Sequence, residues 1–184
     1  MTTRCLIAST LGLICALPAA AQDNNWTPML DRGTKEISIA GRIEAPDFDS
    51  IDYDLDGSYG YFIRDGWEIG TQIGASDFGG SDRIDVGLFT EYNFNRDSRW
   101  VPYLGAAIGV GTVNFDDGID GETTLDDGDG AVFDAEAGIK YFIKPYMAVS
   151  TAINFQIATD DVFATDDSIE DNLTTFQLGM RFYY

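Results

Sequence analysis

The chain has 184 residues, with 31 Asp and Glu against 11 Lys and Arg, a formal net charge of −20, and no histidine. This acidity argues against a partner held directly through its phosphates, because nucleic-acid binders need basic patches that displace counterions. The lack of histidine removes the commonest general base and the commonest zinc ligand, which disfavours triad hydrolases and zinc-water enzymes. With 45% hydrophobic residues, the chain is also too apolar for an acidic disordered protein.

Residues 1–21 have the pattern of a cleaved secretory signal peptide. Arg4 supplies a positive end, residues 6–17 an apolar core, and residues 19–21 a run of alanines that fits a cleavage site. The alternative is a short buried helix of a cytosolic fold. Both cysteines lie in this segment, so the predicted mature chain has neither a disulfide framework nor thiol chemistry. Residues 22–34 are predicted to form a short N-terminal periplasmic segment.

From residue 35 onwards, apolar residues alternate with polar or small ones in runs of about nine to thirteen residues, which is the period-2 pattern of β-strands. The predicted strands are 35–43, 51–63, 67–75, 83–94, 101–113, 131–143, 146–157 and 173–184. The connections alternate in length. Those at 64–66, 95–100 and 144–145 are tight, and those near 44–50, 76–82, 114–130 and 158–172 are longer and rich in Asp and Gly.

One face of every predicted strand carries no charge, whereas the opposite face carries the acids, the amides and several glycines. The fourth strand is typical, with Ile84, Val86, Leu88, Thr90, Tyr92 and Phe94 on one face. Alternation alone allows two architectures, a soluble ligand-carrying barrel with the apolar face inside and a transmembrane barrel with it outside.

Three features favour the transmembrane barrel. Aromatic residues of the apolar face, such as Trp67, Tyr92 and Tyr141, fall near strand ends, as membrane-interface girdles do. Short turns alternate with long loops, and the sequence stops on an aromatic strand ending in Tyr184. We therefore predict an all-β, eight-stranded, antiparallel up-and-down transmembrane β-barrel over residues 35–184, with short periplasmic turns and long acidic external loops.

The segments PYLGAAIGVG at 102–111 and FQLGMRFYY at 176–184, together with the signal ending in Ala21, resemble the small outer-membrane β-barrels of the OmpA/OmpX type in Gram-negative bacteria. The resemblance implies an integral outer-membrane location and an alternating aromatic C-terminus that the outer-membrane assembly machinery recognises. Such families more often end in Phe, so Tyr184 is a departure. No peptidoglycan-binding domain follows the barrel, so that role is not carried over.

The four long connections hold more than half of the acids and no Lys or Arg, whereas Arg64, Arg96, Arg99 and Lys144 lie in the short turns. Solvated loops that keep the surface soluble are the simplest interpretation. The sharper alternative is that divalent cations bind weakly at these loops and bridge them to lipopolysaccharide and the outer-membrane lipid.

The charged face predicts a polar lumen with two groups of residues. The first is an interior ion-pair network, because buried charges are tolerated when they are paired. Its residues are Arg42, Glu68, Glu91, Glu136, Lys140 and Arg181, and Glu36 shares their space. The second is an acidic mouth of Asp52, Asp54, Asp56, Asp85 and Asp134, which we expect to face mainly Arg42. Eight strands enclose a lumen that side chains fill, so little conductance is expected.

The leading functional prediction is a non-enzymatic outer-membrane barrel with a structural and surface-interaction role. The alternative is a narrow cation-favouring channel for small solutes, whose feature is the acidic mouth. A lipid-modifying enzyme or protease on this scaffold is disfavoured by the missing histidine. No catalytic residue, cofactor or dedicated metal site is predicted, and no nucleic-acid partner.

Overall fold

The fold is described from a computed structural model, which covers residues 26–47, 50–78, 81–115, 128–159, 163–165, 168–170 and 172–184. The predicted signal peptide and most of the acids in the longest predicted loops lie outside these residues. Within them, no helix has the length and apolar character needed to cross a membrane.

The described residues form ten strands, and eight of these strands form one closed antiparallel barrel in the order β1-β10-β7-β6-β5-β4-β3-β2. The strands are β1 Lys35–Asp47, β2 Ser50–Arg64, β3 Trp67–Phe78, β4 Ser81–Asn93, β5 Trp100–Phe115, β6 Gly128–Lys144, β7 Met147–Ala158, β8 Phe163–Thr165, β9 Ser168–Glu170 and β10 Asn172–Tyr183. The eight-stranded up-and-down barrel predicted from the alternation is therefore confirmed.

The barrel strands run further than predicted at the end away from the tight turns. β1 extends to Asp47 and β2 begins at Ser50. Likewise, β3 extends to Phe78 and β4 begins at Ser81. The two short strands β8 and β9 form a separate hairpin within the predicted fourth loop. Ladder hydrogen bonds use only backbone groups, so pairing extends past the last apolar residue that the sequence pattern detects.

The apolar face of the strands points outward. Leu88 is 62% exposed and Ile73 58%, although both lie in the middle of long strands. The charged residues of the opposite face point into the lumen, where Glu36, Glu68 and Lys140 have no exposed surface. The soluble barrel with an apolar interior is thus wrong for this chain.

An apolar plug closes the barrel at the end that carries the tight turns, hereafter the turn end. Its side chains are Leu30, Phe62, Val101, Phe142, Ala148 and Tyr183. The residues before β1 complete it: Trp26 and Met29 pack against the plug, and the Arg99 guanidinium lies 4.8 Å from the Trp26 ring centroid. Residues 26–34 therefore belong to the barrel's packing and are not a free arm.

Backbone hydrogen bonds fix this segment to the turns. The Met29 N–H donates to the Pro145 carbonyl at 2.9 Å, and the Gly66 N–H donates to the Leu30 carbonyl at 2.7 Å. Gly66 has φ of +74°, a value that glycine adopts without strain, and it closes the tight turn between β2 and β3. One glycine thus serves both the hairpin and the attachment of the N-terminal segment.

Truncation of the plug tests its contribution to stability. We expect Phe142→Ala to lower the free energy of unfolding by about 3–5 kcal/mol, because the ring is fully buried and stacks 5.1 Å from the Tyr183 ring. Ile143→Ala, at the adjacent outward position, is the matched control. It should lower the free energy of unfolding by much less, because it leaves no enclosed cavity. Urea unfolding of the folded barrel in micelles measures both, and equal losses would contradict a packed plug.

Candidate functional site

A buried ion cluster crosses the lumen next to the plug. Lys140 on β6 lies 3.2 Å from Glu36 of β1 and 2.5 Å from Glu91 of β4. Arg181 on β10 lies 2.8 Å from each of the same two glutamates. Two cations and two carboxylates therefore form a closed set of four ion pairs, which joins four strands that do not all neighbour one another.

Tyr103 and Glu136 extend the cluster towards β5 and β6. The Tyr103 hydroxyl donates to Glu136 and accepts from Arg181 Nη2 at 2.9 Å, and Arg181 also lies 3.5 Å from Glu136. Gly138 makes room for this ring, because a Cβ there would lie 2.5 Å from Tyr103 Cζ. A tyrosine that reaches across a facing glycine places its hydroxyl between the carboxylate and the guanidinium.

Glu68 differs from the other glutamates of the lumen. Its side chain has no exposed surface, and neither carboxylate oxygen has a hydrogen-bond partner among the described residues. The carboxylate lies across Gly60 of the neighbouring strand and points towards Glu36 and Glu91, with one oxygen of each of the three within 4.8 Å of the others. Among the side chains that the structure describes, the predicted ion-pair network thus contains one carboxylate without an ion pair.

A second group of polar side chains lines the lumen towards the opposite end, hereafter the mouth end. Gln177 Nε2 donates to Asp56 at 2.7 Å, and Gln72 Nε2 donates to Asp134 at 3.2 Å. Arg83 lies 2.8 Å from Asp85. Amide donors therefore hold two of these three acids, whereas a cation holds the third.

The structure brings together many, though not all, of the residues predicted for the lumen. Glu91, Glu136, Lys140 and Arg181 meet in the ion cluster, and Asp54, Asp56, Asp85 and Asp134 lie on inner faces towards the mouth end. Arg42 faces Asp54 in the β1–β2 ladder, but its side chain and that of Asp52 lie outside the described residues.

Sequence reasoning missed Arg83 and Tyr103. Both were detectable, since Arg83 lies two residues from Asp85 on the same face of β4, and Tyr103 lies on the face of β5 opposite to Leu104.

A polar cavity of about 70 Å³ separates the two groups. Its lining includes Asp56 and Asp134 on the mouth side, Glu91, Glu136 and Arg181 on the cluster side, and serine and amide side chains between them. This volume accommodates a few water molecules. The described lumen therefore contains a polar pocket with room for water, which ends at the ion cluster, with the apolar plug beyond.

No protein-family model matches the chain, and no curated protein matches it by sequence. Solved structures do. The N-terminal barrel domain of Pseudomonas aeruginosa OprF matches with a TM-score of 0.63 at 18% identity, over 83% of this chain and 98% of that one. Neisserial surface protein A matches with a TM-score of 0.59 at 14% sequence identity, over 82% of this chain and 96% of that one. The Yersinia pestis outer membrane protein Ail, in a phospholipid bilayer nanodisc, matches with a TM-score of 0.52 at 13% sequence identity, over 83% of this chain and 100% of that one.

These likenesses establish that the chain has the fold of small outer-membrane barrels, as its resemblance to the OmpA/OmpX type implies.

Removal of one cation tests the energetic role of the ion cluster. We expect Lys140→Met to lower the free energy of unfolding by about 3–5 kcal/mol, because Glu36 and Glu91 would remain buried with excess charge. The matched control is Arg96→Met, since Arg96 pairs with Asp31 at the exposed turn end, where an ion pair contributes less than about 1 kcal/mol. Urea unfolding monitored by tryptophan fluorescence distinguishes the two, and similar small losses would contradict a coupled buried cluster.

Proposed function

We propose that this chain is a non-enzymatic integral protein of the bacterial outer membrane, with a structural and surface-interaction role. The observation that carries the proposal is the distribution of polarity, with an apolar belt outside and paired charges inside. Soluble monomers rarely expose contiguous apolar surface of this extent, and in a bilayer such a belt faces the lipid.

The belt has the height that a membrane requires. Along β4 and the residue that follows it, the exposed apolar side chains run from Ile84 to Phe94, a length of about 33 Å at about 3.3 Å per residue. At a strand tilt of about 40° this covers about 25 Å, which is the usual height of the apolar band in outer-membrane barrels.

Aromatic side chains at the turn end support the same arrangement. Trp100 and Tyr141 stack at 4.6 Å between ring centroids, and Tyr92 meets Phe94 edge-on at 4.9 Å. The Lys35 ammonium lies 5.6 Å from the Tyr184 ring centroid. Amphipathic rings beside basic groups are typical of a membrane–water interface, where the ring contacts lipid and the charge stays hydrated.

The surface role rests on the acidic connections at the mouth end. Their net negative charge and Asp-Gly composition favour hydrated segments that meet the medium, lipopolysaccharide or a surface partner, and a rigid barrel is a suitable scaffold for binding loops. One structural neighbour is itself named a surface protein. Weak divalent-cation bridges to the outer leaflet are part of the same proposal.

A narrow cation-favouring channel is the second candidate, and the acidic side chains towards the mouth favour it. The fully buried side chains of the plug and the ion cluster oppose it, because an ion that entered the cavity would meet both before it reached the turn end. The chain has no histidine that could serve as a general base in an enzymatic role. Incubation with labelled lipid A, or with labelled phospholipid, should therefore leave either lipid unchanged.

Charge on the belt tests membrane insertion. We expect Leu88→Lys to destabilise the barrel in lipid vesicles by about 2–4 kcal/mol, because Leu88 lies at mid-height of the belt. Tyr146→Lys, at an equally exposed position in a turn, should cost only about 0–1 kcal/mol near the interface. If the surface faced water, both variants would have a stability within about 0.5 kcal/mol of the wild type. That result would contradict the proposal.

Planar-bilayer recordings test the closed lumen. The mature chain should show little conductance, and whatever it conducts should favour cations because of the acids at the mouth. A large, stable, anion-selective pore would contradict both the plug and the mouth, whereas membrane fractionation and heat-modifiable gel migration of the same sample confirm that it is folded.

A further inference from the structure

We propose that the lumen holds one calcium ion at Glu36, Glu68 and Glu91, a site that goes beyond the proposed membrane role and stands independently of it. Among the described side chains, four glutamates and two cations meet in the ion cluster, and with all six ionised they leave an excess of two negative charges. A divalent cation neutralises this excess.

Glu68 is the side chain that points to a ligand. It is fully buried, both of its oxygens lack a hydrogen-bond partner among the described residues, and it is directed at two other carboxylates. An ionised carboxylate in this position requires a cationic partner, since leaving a charge unpaired in a protein interior is very costly. Lys140 and Arg181 are engaged by Glu36 and Glu91 and do not supply it.

Donor chemistry and spacing favour calcium over other cations. All three ligands are carboxylate oxygens, which hard cations prefer, and the chain has no histidine for a softer metal. Calcium–oxygen distances of about 2.3–2.6 Å span up to about 5 Å between opposite ligands, which accommodates the observed separations of up to 4.8 Å. Magnesium, at about 2.0–2.1 Å, spans only about 4.2 Å between opposite ligands, so calcium suits the wider range of separations.

The existing ion pairs are compatible with such an ion. A carboxylate has about four lone-pair positions, so Glu36 and Glu91 can accept from Lys140 and Arg181 and still bind a metal. The polar cavity reaches Glu91 from the side lined by Asp56 and Asp134, whose carboxylates attract cations. On the far side the plug closes the barrel, so the pocket is blind and retains an ion.

Equilibrium dialysis with radioactive calcium tests the site on the mature chain folded in zwitterionic micelles, with calcium supplied during refolding. The buffer contains about 0.15 M NaCl, which screens the exposed loop acids more than a buried site. We expect the wild type to retain one calcium ion per barrel and Glu68→Gln to lose it. Asp65→Asn is the control, because it removes an exposed acid in the β2–β3 turn, away from the three ligands and from the cavity, and it should retain the ion.

A second variant keeps every charge and removes only the space that the Glu68 carboxylate occupies. Gly60→Ala places a methyl group where the Glu68 carboxylate lies, so it should also lose the calcium ion. Heat-modifiable migration establishes that each variant is folded.

Two results would overturn the proposal. The first is a wild type that retains no calcium under these conditions, or a folded Glu68→Gln variant that retains as much as the wild type. The second is an infrared carbonyl band of a protonated carboxylic acid in the calcium-loaded wild type that disappears in Glu68→Gln, because a proton would then occupy the place assigned to the metal.

Discussion

The pairing of β1 with β10 is the contact on which the rest of the barrel depends. It comprises six residue pairs, from Glu36–Tyr183 to Gly41–Leu178, and it gives each of the eight barrel strands two hydrogen-bonded neighbours. A closed sheet has no edge, so its backbone groups need neither water nor another chain. Because side chains alternate along a strand, the same closure turns one face of the whole sheet into an enclosed interior.

That interior is organised in layers along the barrel axis. Phe62 and Phe142 fill the turn end with apolar packing, Lys140 and Arg181 neutralise carboxylates above it, and amide groups such as Gln177 hold acids closer to the mouth. Phe62, Phe142 and Lys140 have no exposed surface, so the plug and the ion cluster exclude water alike. Together they close the described barrel at its turn end, which separates binding inside the barrel from passage through it.

Much of this could be predicted from the sequence, because period-2 alternation assigns each residue to one of two faces. It placed Lys140, Arg181, Glu91 and Glu136 in a common lumen. It could not state which of them pair, since residues from distant strands meet at a height set by strand tilt and stagger. The plug was not predicted, because apolar residues such as Phe62 interrupt the polar face of their strands and so weaken the alternating pattern. The hairpin β8–β9 was missed because strands of three residues carry too little pattern.

The ion cluster also has a consequence for the closure of the barrel. Lys140 and Glu36 are 104 residues apart in the chain, and Arg181 and Glu36 are 145 apart. The guanidinium comes from the last of the described barrel strands in chain order, so Glu36 and Glu91 have both counter-charges only when β10 pairs with β1. A barrel that has not closed would hold these two carboxylates without the charge of Arg181. Because an unpaired charge in an apolar environment is costly, the cluster stabilises the closed barrel relative to a partly closed one.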